Sequence, residues 1–124
     1  MTTYLGACHC GSVKFSINSM ITELTTCDCT LCLMRNAVMA RVPEQSLKVI
    51  EGEKFLTLYQ WNTFRAKHYF CSQCGIYVFH RKRAMPDHFG INVFCLTGFD
   101  MTSVAVRATD GANMSLVNSS FKTH

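Results

Sequence analysis

No apolar stretch approaches the roughly 20 residues that a helix needs to cross a bilayer, so no transmembrane span is expected. Met1-Thr2-Thr3-Tyr4-Leu5-Gly6 has neither a basic start nor an apolar run. A secretory leader is therefore not expected, and a cytoplasmic location is. Repeats and low-complexity segments are missing too. The chain has no phosphate-cradling glycine loop, no Gly-x-Ser-x-Gly elbow and no His-Glu-x-x-His, which leaves nucleotide and serine-hydrolase chemistry without support. No helical periodicity alternates with the strand-like runs, and that argues against a parallel α/β sheet.

Charge is scarce as well. Only 16% of the residues are charged, and the formal net charge is +4. That excess points away from nucleic acid if the cysteines bind metal. Subtracting seven thiolate charges and adding two dications leaves +1, nearly neutral. The one local basic run is Arg81-Lys82-Arg83, preceded by His80. It reads as a solvated turn between strands or as a seat for the carboxylates of a small acidic molecule.

What remains is a chain of 124 residues, 48% of them hydrophobic: one domain, with enough apolar mass for one core. The expected core spans about residues 4–100, with 101–124 as a C-terminal extension. The chain reads as many short strands. Val13, Phe15 and Ile17 alternate with polar residues, and Val38, Ala40 and Val42 do the same until Pro43. Leu47 and Val49 suggest another strand, with Gly52 turning the chain after it. Leu56 to Trp61 and Lys67 to Phe70 suggest a hairpin around Asn62-Thr63-Phe64. Ile76 to His80 is rich in β-branched and aromatic residues. Ile91, Val93 and Cys95 are expected on one face of a further strand, and Val104 to Ala108 is expected to add one more. The only helix expected is a short one over Leu33 to Ala37. Asp110-Gly111 signals a turn, and Ser115 to His124 is expected to be loosely ordered. The fold class is mainly β.

Against this sparse background stand eight cysteines, seven of them in tight clusters. These are Cys8-His9-Cys10, Cys27-Asp28-Cys29-Thr30-Leu31-Cys32 and Cys71-Ser72-Gln73-Cys74. In a reducing compartment such spacing favours a soft divalent metal over disulfides. Seven divides into four and three. Four thiolates close a tetrahedral zinc site, and three leave one position open. Glycine follows Cys10 and Cys74, where a metal-binding turn must curl tightly. Cys8, Cys10, Cys71 and Cys74 are therefore expected to form a closed structural zinc site. Cys27, Cys29 and Cys32 come from one loop, which wraps an ion from one side and leaves the other side open for Lewis-acid work or thiol activation. Cys95 reads as a small core residue, with a fourth-ligand or pocket-lining role as the alternative. His68, His80 and His88 read as surface or strand residues rather than ligands. His9 and Asp28, each between two ligands, are not expected to coordinate.

The order Cys-x-Cys-Gly, Cys-x-Cys-x-x-Cys, Cys-x-x-Cys-Gly resembles the glutathione-dependent formaldehyde-activating enzyme family, which shares its domain with centromere protein V. The resemblance covers about residues 6–100. Gly6 to Val13 and Phe70 to Gly75 resemble the closed-site motifs, and Cys27 to Cys32 resembles the catalytic loop; Asp110-Gly111-Ala112-Asn113 is a weaker match. It implies several small, curved antiparallel sheets of Mss4-like type, stapled by two zinc ions, one structural and one catalytic. It also implies carbon–sulfur lyase chemistry on an adduct such as S-hydroxymethylglutathione, with glutathione as a possible substrate. In many members a basic residue directly follows the third loop cysteine; here that position is Leu33, and the nearest cation is Arg35. Arg35, Lys67 and Arg81, with the rest of the Arg81 to Arg83 run, are the expected contacts for substrate carboxylates. The expected partner is a small-molecule thiol or its carbonyl adduct, with neither nucleic acid nor membrane. A non-catalytic binding module and a thiol- or formaldehyde-responsive zinc protein are the other readings.

Overall fold

A computed structural model of the chain describes residues 2–27, 29–61, 64, 66–82 and 85–109. Its strands are β1 (Thr3–Ala7), β2 (Lys14–Asn18), β3 (Leu24–Cys27), β4 (Met39–Pro43), β5 (Leu47–Glu51), β6 (Leu56–Tyr59), β7 (Lys67–Cys71), β8 (Tyr77–Arg81), β9 (His88–Asn92) and β10 (Val106–Thr109). The one α-helix among the described residues, α1 (Thr30–Arg35), follows β3. Three strands form a sheet in the order β1-β2-β5, and seven form a second in the order β10-β3-β4-β9-β8-β7-β6. All pairings between these strands are antiparallel except that of β10 with β3.

The alternation legible in the sequence sets the core. Phe15 and Ile17 point inward from β2 and share one cluster with Leu24, Val42, Val78, Phe79 and Ile91 of the larger sheet. The rings of Phe15 and Phe79 meet edge to face at 5.8 Å, and those of Phe79 and Phe89 at 5.5 Å. Burying each such side chain contributes about 1.5–3 kcal/mol. Gly6 belongs to this packing, because a Cβ there would lie 2.3 Å from Phe15 Cζ.

Neighbours in a strand face opposite ways, so the other side of the larger sheet carries a different row. Cross-strand register aligns His68 with His80, His80 with Gly90, and Gly90 with Arg41. A smaller buried cluster of Cys32, Ala37 and Met39, with Cys27, Cys29 and Tyr77 packed against it, lies apart from the main core.

Two expectations need correction. The helix does not cover Leu33 to Ala37. It begins at Thr30, because the Cys29 side chain accepts the Cys32 N–H as an N-cap, and it stops at Asn36, which is left-handed at φ 51°. Cys95 is not on a strand with Ile91 and Val93. The Asn92 side chain accepts the Phe94 N–H and turns the chain into a 3-10 segment, Val93–Cys95, so the period of two ends there. Within the segment read as a C-terminal extension, the strand expected near Val104 to Ala108 forms at Val106–Thr109 and completes the larger sheet, pairing parallel to β3 with Thr109 opposite Cys27. A purely antiparallel reading misses this pair. Asp28, Asn62, Thr63, Arg83, the Asp110-Gly111 turn and Ser115 to His124 lie outside the described residues.

Candidate metal centres

Two groups of cysteines bring their sulfurs within 4.8 Å of one another: Cys8, Cys10, Cys71 and Cys74, and Cys27, Cys29 and Cys32. The first joins the end of β1 to the turn after β7. Gly11 and Gly75 are left-handed, at φ 79° and 78°, and let the two turns curl so that backbone N–H groups meet sulfur. The Val13 N–H reaches Cys8 Sγ and the Gln73 N–H reaches Cys71 Sγ, each at 3.3 Å. The Ser12 hydroxyl lies 3.2 Å from Cys10 Sγ and, together with the Ser12 backbone, lowers that thiol to about 6.

The spacing fits zinc. Four sulfurs at 2.3 Å from a tetrahedral ion lie about 3.8 Å from each other. Cys8 and Cys10 Sγ are 3.7 Å apart, and Cys10 and Cys71 Sγ are 3.8 Å apart.

The second group is built by one β–α junction. Cys27 ends β3, Cys29 caps α1, and Cys32 lies in the first turn of that helix, where its N–H donates to Cys29 Sγ at 3.4 Å. The neighbouring Cys27 and Cys29 sulfurs, and after them burial, push the Cys32 thiol strongly upward, and Cys27 foremost raises Cys29. Three crowded sulfurs resist becoming thiolates unless a cation joins them, and that is the donor chemistry of a soft-metal site. Among the described residues no fourth cysteine joins the group. Cys95 packs against the main core and donates to the Tyr77 carbonyl at 3.7 Å.

Around these three sulfurs the structure gathers side chains that the sequence only partly indicated. Arg35, one helical turn beyond Cys32, places Nη2 3.6 Å from Cys32 Sγ and Nη1 3.1 Å from His68 Nδ1. Its guanidinium carbon lies 3.6 Å from the centre of the Tyr77 ring. His68 and His80 stack with centroids 4.9 Å apart, and the Tyr77 hydroxyl lies 2.6 Å from His80 Nδ1. Both histidines are strand residues, as expected, but both are buried. Burial and then Arg35 lower His68 to about 3; burial foremost also holds His80 well below its ordinary value. No spacing rule pointed to Tyr77 or to this stack.

The cations sort differently from expectation. Arg81 is engaged elsewhere, paired with Glu44, donating to the Pro86 carbonyl at 2.6 Å, and lying over the Phe89 ring. Lys67 is exposed, across the ladder from Arg81. Of the described residues in the basic run, Lys82 is the one whose amine interacts electrostatically with the cluster. Burial foremost, then Arg41, lowers its amine, and Cys27 and Cys32 oppose that shift.

Residues 3–110 match the family described as glutathione-dependent formaldehyde-activating enzyme. Among solved structures, the chain is similar to the crystal structure of a Rhodobacter sphaeroides protein determined by structural genomics. That protein is 37% identical to this chain, with a TM-score of 0.76, over 83% of this chain and 99% of its own. No helix among the described residues is long and apolar enough to cross a membrane.

Proposed function

Because the chain belongs to the glutathione-dependent formaldehyde-activating enzyme family, we propose that it is a zinc-dependent carbon–sulfur lyase acting on a thiol–carbonyl adduct of the S-hydroxymethylglutathione and formaldehyde type. The observation that carries this reading is the contrast between the clusters. Four sulfurs close one tetrahedron, and three sulfurs from one junction leave the other incomplete.

Cys8, Cys10, Cys71 and Cys74 would hold the structural ion, and Cys27, Cys29 and Cys32 the catalytic one. Zinc bound there supplies a Lewis acid that favours the thiolate form of a substrate sulfur. The chemistry asked of the site is modest. In the lytic direction the hydroxymethyl O–H gives up its proton, the C–O bond becomes a carbonyl, and the C–S bond breaks with its electron pair on sulfur. The reverse direction joins thiol and carbonyl. Burial of Cys32 keeps water from one side of the cluster, and Arg35 places positive charge 3.6 Å from its sulfur. We take the partner to be a small acidic thiol or its adduct rather than nucleic acid or membrane, and the compartment to be the reducing cytoplasm.

The test is exchange spectroscopy on glutathione and formaldehyde with the purified protein, against the uncatalysed exchange. Acceleration that disappears in Cys27→Ser supports the lyase reading. Native protein that leaves the uncatalysed rate unchanged for glutathione and for other acidic thiols removes it.

A further inference from the structure

We propose that Arg35 is a positioning residue of the three-cysteine cluster, holding the Cys32 sulfur in the orientation a metal ion needs and offsetting the cluster's charge, rather than a contact for substrate carboxylates. The proposal rests on the zinc reading of Cys27, Cys29 and Cys32.

The geometry begins with the helix. Residues three apart share a helical face, whereas adjacent residues do not. Leu33, directly after Cys32, is therefore exposed, at 62%. Arg35, three residues on, reaches back over Cys32, with Nη2 3.6 Å from its sulfur.

The guanidinium is then held from two further directions. Nη1 lies 3.1 Å from His68 Nδ1, and the plane rests on Tyr77 at 3.6 Å. Arginine has donors and no acceptor, so His68 Nδ1 must accept and the ring proton of neutral His68 sits on Nε2. His68 stacks on His80, and His80 hydrogen-bonds the hydroxyl of the same Tyr77 that carries the guanidinium. Arg35, His68, His80 and Tyr77 thus form a closed ring of contacts behind the cluster. Arg35 Nε is buried without a hydrogen-bond partner, a cost the side chain bears to keep this pose.

Charge gives the reason for an arginine here. Three thiolates around a dication leave about one negative charge in a partly buried site. A guanidinium beside Cys32 offsets it, and its planar fork serves sulfur and imidazole together while stacking on an aromatic ring. A lysine ammonium is a point charge and does only the first of these. Groups behind metal ligands typically change metal affinity 10–100-fold when removed.

The experiment titrates the full chain with cobalt(II), reading thiolate charge-transfer bands and competing with a chelator, for the native protein, Arg35→Met and Arg35→Lys. Expected is native binding of two equivalents. Arg35→Met should leave the tighter, four-cysteine equivalent unchanged and weaken the other by about 10–100-fold, with an altered charge-transfer band. Arg35→Lys should recover part of the affinity but not the native band. If Arg35→Met binds the second equivalent as the native chain does, the proposal is overturned, and more so if only the KM for an acidic thiol changes. A native chain that takes up one equivalent only would remove the metal reading of the cluster itself, a failure distinct from the first. Should Arg35→Met not fold, nitrogen NMR of the native zinc protein decides: a His68 proton on Nε2 supports the proposal, and one on Nδ1 overturns it.

Discussion

The His80 ring occupies the space that any side chain at residue 90 would need: a Cβ on Gly90 would lie 2.5 Å from His80 Cε1. The two residues face each other across β8 and β9. His80 cannot simply withdraw, since it is stacked on His68 and bonded to Tyr77. Gly90→Ala should therefore cost about 1–3 kcal/mol, as overpacking of a filled interior does. Urea unfolding of the zinc-loaded protein measures it. Native stability in Gly90→Ala would mean that the stack yields freely.

Gly52 packs against the backbone of Ser12, two residues after Cys10. It is left-handed, at φ 82°, and a Cβ there would lie 1.7 Å from the Ser12 carbonyl oxygen, which is backbone and has nowhere to go. Gly52→Ala should lose about 1–2 kcal/mol from backbone conformation alone and displace the turn that carries Cys10. Faster zinc loss to a chelator from the tighter of the two sites is the expected reading. An unchanged release rate would show that the Ser12 turn moves without disturbing Cys10.

The two cysteine groups should respond oppositely to loss of one sulfur. Cys71 is fully buried in the main core and ties β7 to the end of β1. A structural zinc contributes on the order of 10 kcal/mol in small zinc domains, so Cys71→Ser should unfold or severely destabilise the chain. Cys27→Ser should keep the fold by circular dichroism and lose the second zinc. The reverse pattern would exchange the roles given to the two sites.

Acid should act through the histidine pair. An unfolded chain binds protons on both imidazoles near pH 6.5, and the native chain binds them only far lower, at about 3 for His68. The unfolded state therefore holds more protons across this interval. The stabilising contribution is whole above pH 6.5 and is lost as the pH falls toward 3, at up to about 1.4 kcal/mol per proton per pH unit. Proton NMR should find neither ring titrating between pH 8 and 5. A midpoint near 6.5 for either ring would contradict the buried, neutral stack.

Much of this was legible locally. Alternation located β2, β4 and β5 to within a residue or two, because one face of each strand meets the core, and β-branched and aromatic content located β8. The glycines after Cys10 and Cys74 marked the turns of the four-cysteine group because a left-handed residue permits the curl. Errors arose where a side chain overrode the pattern. Cys29 started the helix early by capping it, and Asn92 ended β9 by turning the chain. The pairing of Arg81 with Glu44 was not legible either, because the two are far apart in sequence.

By itself the sequence determined the mainly β class, the division of seven cysteines into four and three, and the family, since these depend on residue type and spacing along one chain. Only the tertiary structure decided what surrounds the three-cysteine group. The meeting of Arg35 from α1 with His68 from β7, and with Tyr77 and His80 from β8, depends on strand register and on which face each strand buries. Those are long-range choices made when the sheet assembles, and no local run of residues encodes them.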